Sequence, residues 1–319
     1  INSGAELGTN GFALTFEGDF INNGVFDTTG GSAITIAGTA NPQSIAGFTT
    51  SGTVSMTKTA GVATFTGNVS GVGLTMNGSG GTLNLGSGLT HIFTGAWTRT
   101  AGTLEGGSSS VRLNGTVTGS NGVFTPGTST FTYGGGTAQN VAGGAGVSYY
   151  RLKMQGIGVK TALDDVTVNE NLSVVSGSSF TIGAFNINVT GSTSITGTLT
   201  YSSPTGTKTY NGLVTVNSGG IWKNDATGNA DIHFHGGLTN NGTFSAGTGT
   251  YYFDTNDQAI GGSNAMTIPN FVVENGRTLT NNNSGGLTVS ALLKGTGLPD
   301  INGYTGGTLM QGATGVLNI

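Results

Sequence analysis

The chain has 319 residues, of which only 8% are charged, and its formal net charge is −4. Soluble domains contain about 25% charged residues, and disordered chains combine high charge with low apolar content. An apolar share of 35% with so little charge argues against disorder. The ten scattered basic residues argue against a surface that tracks nucleic acid.

The residue types and segments that the sequence lacks exclude further classes of site and of protein. The absence of cysteine excludes disulfides and thiolate metal sites. No run of about 20 apolar residues exists, so we expect no membrane insertion. The sequence begins at Ile1 and shows no signal peptide, which fits a processed form of an exported protein. We therefore expect an extracellular or cell-surface protein.

Short segments that alternate apolar and polar residues recur along the chain, which is the period of a half-buried strand. Gly, Asn-Gly or Ser-Gly bounds each of them, as at turns, and no stretch of ten or more residues has a helical stripe. In chain order, examples are ALTF (13–16), AITI (33–36), ATFT (63–66), VTV (166–168), INV (187–189) and LVTV (213–216). These segments predict an all-β protein.

A longer pattern repeats three times. In each copy an Asn-Gly turn precedes a Phe, and about fifteen residues later a Gln stands two positions before an aliphatic residue. These residues are Phe26 and Gln43, then Phe124 and Gln139, then Phe244 and Gln258. The pattern predicts a single elongated β body over 1–319 with three degenerate modules, near 13–100, 101–225 and 231–319.

This pattern resembles the Gly/Thr/Asn-rich repeats of very large, adhesin-like bacterial surface proteins. The resemblance covers most of the chain, although no charged globular sorting domain follows the repeats. It implies a β-solenoid or stacked-β body, export to the cell surface and no catalysis.

The turn spacing is compatible with coils of about 20 residues or with hairpins. Single-Gly turns and evenly dispersed apolar residues favour a right-handed β-solenoid, and stacked β-sandwich modules are the alternative. Neither terminal sequence contains a charged cap, and an exposed β edge is a template for pairing. We therefore expect a structural subunit of an extracellular filament or surface layer, in which copies pair head to tail. The alternatives are an adhesin spacer that binds surface glycans and a carbohydrate-active β-helix enzyme.

Two metal sites are candidates. His233 and His235 would share one face of a strand, and Asp231 would lie on the same face as a third ligand. Asp254, Asn256 and Asp257 offer oxygen ligands for calcium within a turn, although the twelve-residue calcium loop is absent. A solvated His pair and an ordinary Asx-rich turn are the alternatives, and we expect no other cofactor.

Candidates for catalysis and glycan binding are sparse. Asp164 and Asp165 form the only acidic pair, and neighbouring residues of a strand point to opposite faces, so they are a poor carboxylate dyad. We expect no enzymatic activity. Six aromatic residues could form a sugar platform, although core packing explains them equally well: Trp97, Tyr149, Tyr150, Trp222, Tyr251 and Tyr252.

Overall fold

The protein is an all-β solenoid of parallel strands. The computed structural model describes residues 1–224, 227–274, 276–294, 308–311 and 317–318. Within them every β ladder is parallel, and no helix occurs that is long and apolar enough to cross a membrane. Hairpin-built sandwiches require antiparallel neighbours. The solenoid prediction is therefore confirmed and the sandwich alternative is wrong, whereas the coil handedness stays a prediction.

The chain forms two compact units, 1–152 and 153–319, and the three-module division stays a prediction. The first unit contains β1 (Glu6–Gly8), β2 (Leu14–Phe16), β3 (Val25–Asp27), β4 (Ile34–Ile36), β5 (Gln43–Ile45), β6 (Phe48–Thr49), β7 (Val54–Met56), β8 (Val62–Phe65), β9 (Val69–Gly71), β10 (Leu74–Asn84), β11 (Thr90–Phe93), β12 (Trp97–Glu105), β13 (Ser110–Leu113), β14 (Val117–Thr118), β15 (Val123–Thr125), β16 (Thr130–Tyr133) and β17 (Gln139–Val141). The next strand, β18 (Arg151–Met154), contains the boundary.

The second unit contains β19 (Val159–Ala162), β20 (Val166–Val168), β21 (Leu172–Val174), β22 (Ser179–Ile182), β23 (Ile187–Val189), β24 (Thr193–Ile195), β25 (Thr198–Tyr201), β26 (Lys208–Tyr210), β27 (Val214–Val216), β28 (Ile221–Lys223), β29 (Ile232–Phe234), β30 (Leu238–Asn240), β31 (Thr243–Ser245), β32 (Thr250–Phe253), β33 (Gln258–Gly261), β34 (Met266–Val273), β35 (Thr278–Asn281), β36 (Leu287–Lys294), β37 (Thr308–Gln311) and β38 (Leu317–Asn318).

In the second unit the chain passes repeatedly through three sheets, and the last coils contribute to two of them. The strand orders are β20-β23-β26-β29-β32-β34-β36-β38, then β21-β24-β27-β30-β33-β35-β37, then β19-β22-β25-β28-β31. In the first unit the longest order is β14-β12-β10-β7-β4-β2, and a second sheet runs β16-β13-β11-β9-β6. Paired residues lie about one coil apart, as Ile34 and Val54 do.

The interior is filled by alternate residues of each strand. In β29, for example, Ile232 and Phe234 are buried while His233 between them faces outward. Successive coils stack these inward residues, so aromatic rings meet along the core, as in the Trp222–Phe244 pair with centroids 5.5 Å apart. The core thus forms because apolar residues stand at every second position of each strand, as expected for strands with one buried face.

The Gln of the sequence repeat has a common structural role. Gln43, Gln139 and Gln258 are buried, and each donates through Nε2 to carbonyl oxygens near the end of an earlier strand. These acceptors belong to Phe16 and Phe234 in two copies. A buried backbone carbonyl without a donor destabilises a fold, so the repeated Gln is explained by hydrogen bonding at the corner of the coil.

Among the residues whose burial the structure describes, three lysines are fully buried, although buried lysine is rare in proteins. The Nζ of Lys208 donates to the carbonyls of Gly183, Phe185, Thr205 and Gly206. Burial lowers the pKa of Lys208 to about 8, against a partial opposing effect of Asp165. Further lysines donate to corner carbonyls in the same manner, and burial lowers the pKa of each: Lys58 and Lys160.

Candidate functional site

The clearest cluster of chemically active side chains lies on the outward face of β26, β29 and β32. The register pairs His233 with Tyr252 and with Thr209 on the other side. One further step along the outward face places His235 between Asn211 and Asp254. Residues 21 to 24 positions apart in sequence therefore become neighbours.

The carboxylate of Asp254 joins the two histidines. Its Oδ2 lies 2.7 Å from Nδ1 of His233, and its Oδ1 lies 2.8 Å from Nε2 of His235. Single ligand atoms from the three residues all lie within 4.8 Å of one another. We call His233, His235 and Asp254 the His–Asp cluster.

Hydrogen bonds beneath the cluster fix the proton on one ring. Asn211 donates through Nδ2 to the carbonyl of Val189 and to Oδ1 of Asn188, so its own Oδ1 faces away from them. That Oδ1 lies 2.7 Å from Nδ1 of His235. An amide oxygen only accepts, so Nδ1 of His235 carries the proton. In the neutral ring Nε2 therefore carries a lone pair, and it lies 2.8 Å from Oδ1 of Asp254 outside hydrogen-bonding geometry.

Neighbouring groups hold the side chains of the His–Asp cluster in place but do not cover them. The ring of Tyr252 stacks on His233 with centroids 4.6 Å apart and an angle of 7° between the planes. The side chains of His233, His235 and Asp254 remain 30%, 18% and 17% exposed, respectively. The cluster is therefore ordered by its surroundings and is still accessible from solvent.

The structure brings together only part of the metal site that the sequence predicts. The expected pair His233 and His235 shares one face, but Asp231 accepts a hydrogen bond from the backbone N–H of Thr250 instead of completing the group. The third residue is Asp254, for which the sequence predicts a place in a calcium-binding turn. Its position opposite His235 depends on the strand register, which no local motif reveals.

The other two residues of that turn have separate partners. Asn256 donates through Nδ2 to the carbonyl of His235, and Asp257 accepts from the backbone N–H of Thr278. Calcium binding by Asp254, Asn256 and Asp257 stays a prediction.

The acidic pair and the aromatic residues also have identified surroundings. Asp165 accepts from the backbone and side-chain nitrogens of Asn186, and Asp164 accepts from the backbone N–H of Asp165. Four of the six aromatic residues considered as a sugar platform are buried, namely Trp97, Tyr149, Trp222 and Tyr251. Only Tyr150 and Tyr252 are partly exposed.

No family model matches the chain, and no curated protein or solved structure is significantly similar to it.

Proposed function

We propose that this protein is a structural subunit of an extracellular filament or cell-surface layer, which assembles when the β edge of one copy pairs with another copy. A parallel solenoid has no intrinsic stop, because each coil offers the next one the same backbone groups. The proposal needs an edge that is both unpaired and apolar.

Apolar side chains that are exposed in the first coils of the first unit carry the proposal. The strand β2 is the last in its sheet order, and its inward residues Leu14 and Phe16 are only half-buried. Among the described residues, four large apolar side chains are more than half exposed, and three of them lie before position 26: Phe12, Ile21 and Val25. A second copy that covers this edge would bury them.

The composition supports the same role. A chain with 8% charged residues presents mostly hydroxyls, amides and backbone to its surroundings. Self-repulsion between copies at a net charge of −4 is therefore weak for a chain of 319 residues. The runner-up is the spacer of an adhesin, in which the same coils only separate a binding end from the cell.

Electron microscopy of the purified full-length chain at several concentrations tests the proposal. The expected result is continuous fibres whose axial repeat equals the length of one subunit. Separate particles at every concentration would contradict self-assembly and favour the adhesin spacer. A glycan array and a reducing-sugar assay on the same sample address the remaining alternatives, because turnover of a polysaccharide would overturn the structural role.

A further inference from the structure

We propose that His233, His235 and Asp254 bind a divalent transition-metal ion of the Zn²⁺ class, which fastens two successive coils of the second unit. The histidines lie at β29 and the carboxylate follows β32, its neighbour in the sheet. The proposal is independent of filament formation.

The first argument is the missing proton between His235 and Asp254. Asn211 holds the ring proton on Nδ1, so in the neutral ring Nε2 has no proton to share with Oδ1 of Asp254, which lies 2.8 Å away. This Oδ1 is buried and receives no hydrogen bond from the described residues. Two acceptors at this distance repel unless a cation lies between them, either a second ring proton or a metal ion.

The second argument is the type of ligand. Two imidazole nitrogens with one carboxylate oxygen are a donor set for Zn²⁺, Co²⁺, Ni²⁺ or Cu²⁺, whereas Ca²⁺ and Mg²⁺ favour oxygen ligands alone. Tetrahedral zinc holds its ligand atoms about 3.4 Å apart, so the 2.7 Å and 2.8 Å separations must widen by roughly 0.6 Å. Rotation of the partly exposed carboxylate provides this movement, and the open side leaves room for a water molecule as fourth ligand.

The third argument is the support around the ligands. Histidine ligands usually donate their second ring N–H to an oxygen, which fixes the tautomer and the ring direction. Asn211 does this for His235, and the stacked ring of Tyr252 restrains His233.

The test is titration of the full-length chain, purified without a histidine tag, with Zn²⁺ by calorimetry and with Co²⁺ by visible absorption. We expect one ion per chain and the intense absorption bands of tetrahedral cobalt. His235→Ala and Asp254→Asn should each weaken binding by at least tenfold, and Asn211→Ala by about 10- to 100-fold. Zn²⁺ should raise the unfolding temperature of the wild type and not that of Asp254→Asn.

Asp231→Asn is the matched control, because it removes one negative charge beside the neighbouring strand β29 and keeps an acceptor for the backbone N–H of Thr250. It should bind Zn²⁺ as the wild type does. Equal binding by the wild type and Asp254→Asn would overturn the proposal, as would an equal loss in Asp231→Asn. Absence of saturable binding in the wild type would also overturn it.

Discussion

Gln139 donates through Nε2 to the carbonyl oxygen of Leu113 at 3.0 Å, across 26 positions of sequence. The same Nε2 also reaches the carbonyl of Gly115, while Oε1 accepts from the backbone N–H of Gly135. One side chain thus satisfies three backbone groups at a corner. The Gln that marks the sequence repeat is therefore a hydrogen-bonding device of the coil and has no evident role in binding.

Replacing Gln139 by Leu should lower the free energy of unfolding by about 1–3 kcal/mol, because buried backbone groups lose their partner. Urea unfolding followed by circular dichroism measures the change. Gln155→Leu is the control, since Gln155 is only half-buried and lies outside the repeat. A stability of Gln139→Leu equal to that of the control would show that water replaces the side chain.

Gly107 and Gly88 form a matched pair for testing how closely coils approach. Both have a positive φ, of 58° and 69°, but a Cβ at Gly107 would overlap the carbonyl oxygen of Gly86, whereas a Cβ at Gly88 would meet nothing within 4 Å. Left-handed backbone costs an L-residue about 1–2 kcal/mol, so both Ala variants should lose stability. Gly107→Ala should lose about 1–3 kcal/mol more, because the coils must separate. Equal losses in thermal unfolding would refute close coil contact as the cause.

At alkaline pH the free energy of unfolding should first rise and then fall as the pH increases. The pKa of Lys208 is about 8 in the folded chain and ordinarily 10.5, so the unfolded chain binds more protons between these values and stability rises with pH. Burial raises the pKa of Tyr133 from 10.0 to about 12, so the unfolded chain loses its proton first and stability falls above pH 10. Denaturant titrations from pH 7 to pH 12 should therefore show a maximum near pH 10.

The variant Lys208→Met isolates the rise in stability. It should be less stable than the wild type at pH 8, because four carbonyls lose their donor. Its stability should also rise less between pH 8 and pH 10, by on the order of 1 kcal/mol. A rise identical to that of the wild type would assign the effect to other groups.

Charges introduced at the open edge should block assembly if copies pair there. Phe12→Asp and Ile21→Asp alter side chains that are 78% and 62% exposed, so the fold should persist. Sedimentation should show fewer and shorter assemblies for both variants. Ile157→Asp, at 68% exposure and in the second unit, is the control and should assemble normally. Blocked assembly in the control alone would place the interface elsewhere.

The fold could be predicted from the sequence because its determinants are local. Alternation in segments such as Ile34–Ile36 gives one buried face, and a Gly with positive φ, such as Gly38, follows the strand. The sequence does not show whether the aromatic residues lie in the core or at the surface. Trp222 and Tyr251 are fully buried, since the core accommodates large rings as well as small residues.

The His–Asp cluster could be predicted only in part. His233 and His235 share a face by period alone, but Asp254 joins them through a pairing 21 positions away. In the sequence, Asp254 stands in an Asp-Thr-Asn-Asp string that is typical of a turn. The buried lysines were missed for a related reason, because only the assembled corner brings enough carbonyls together to hold Lys208.

Strand β10 shows how this architecture accommodates changes of length. Leu74 pairs with Trp97, 23 positions later, whereas Thr82 pairs with Thr103, 21 positions later, and the difference is absorbed by register shifts near Asn77. The inward residues on either side keep their orientation. Insertions and deletions at such places are therefore neutral for the core, whereas a single-residue insertion within a three-residue strand turns its apolar side outward. Natural variants of this chain should accordingly differ in coil length at corners and bulges, and should gain or lose material elsewhere only by whole coils.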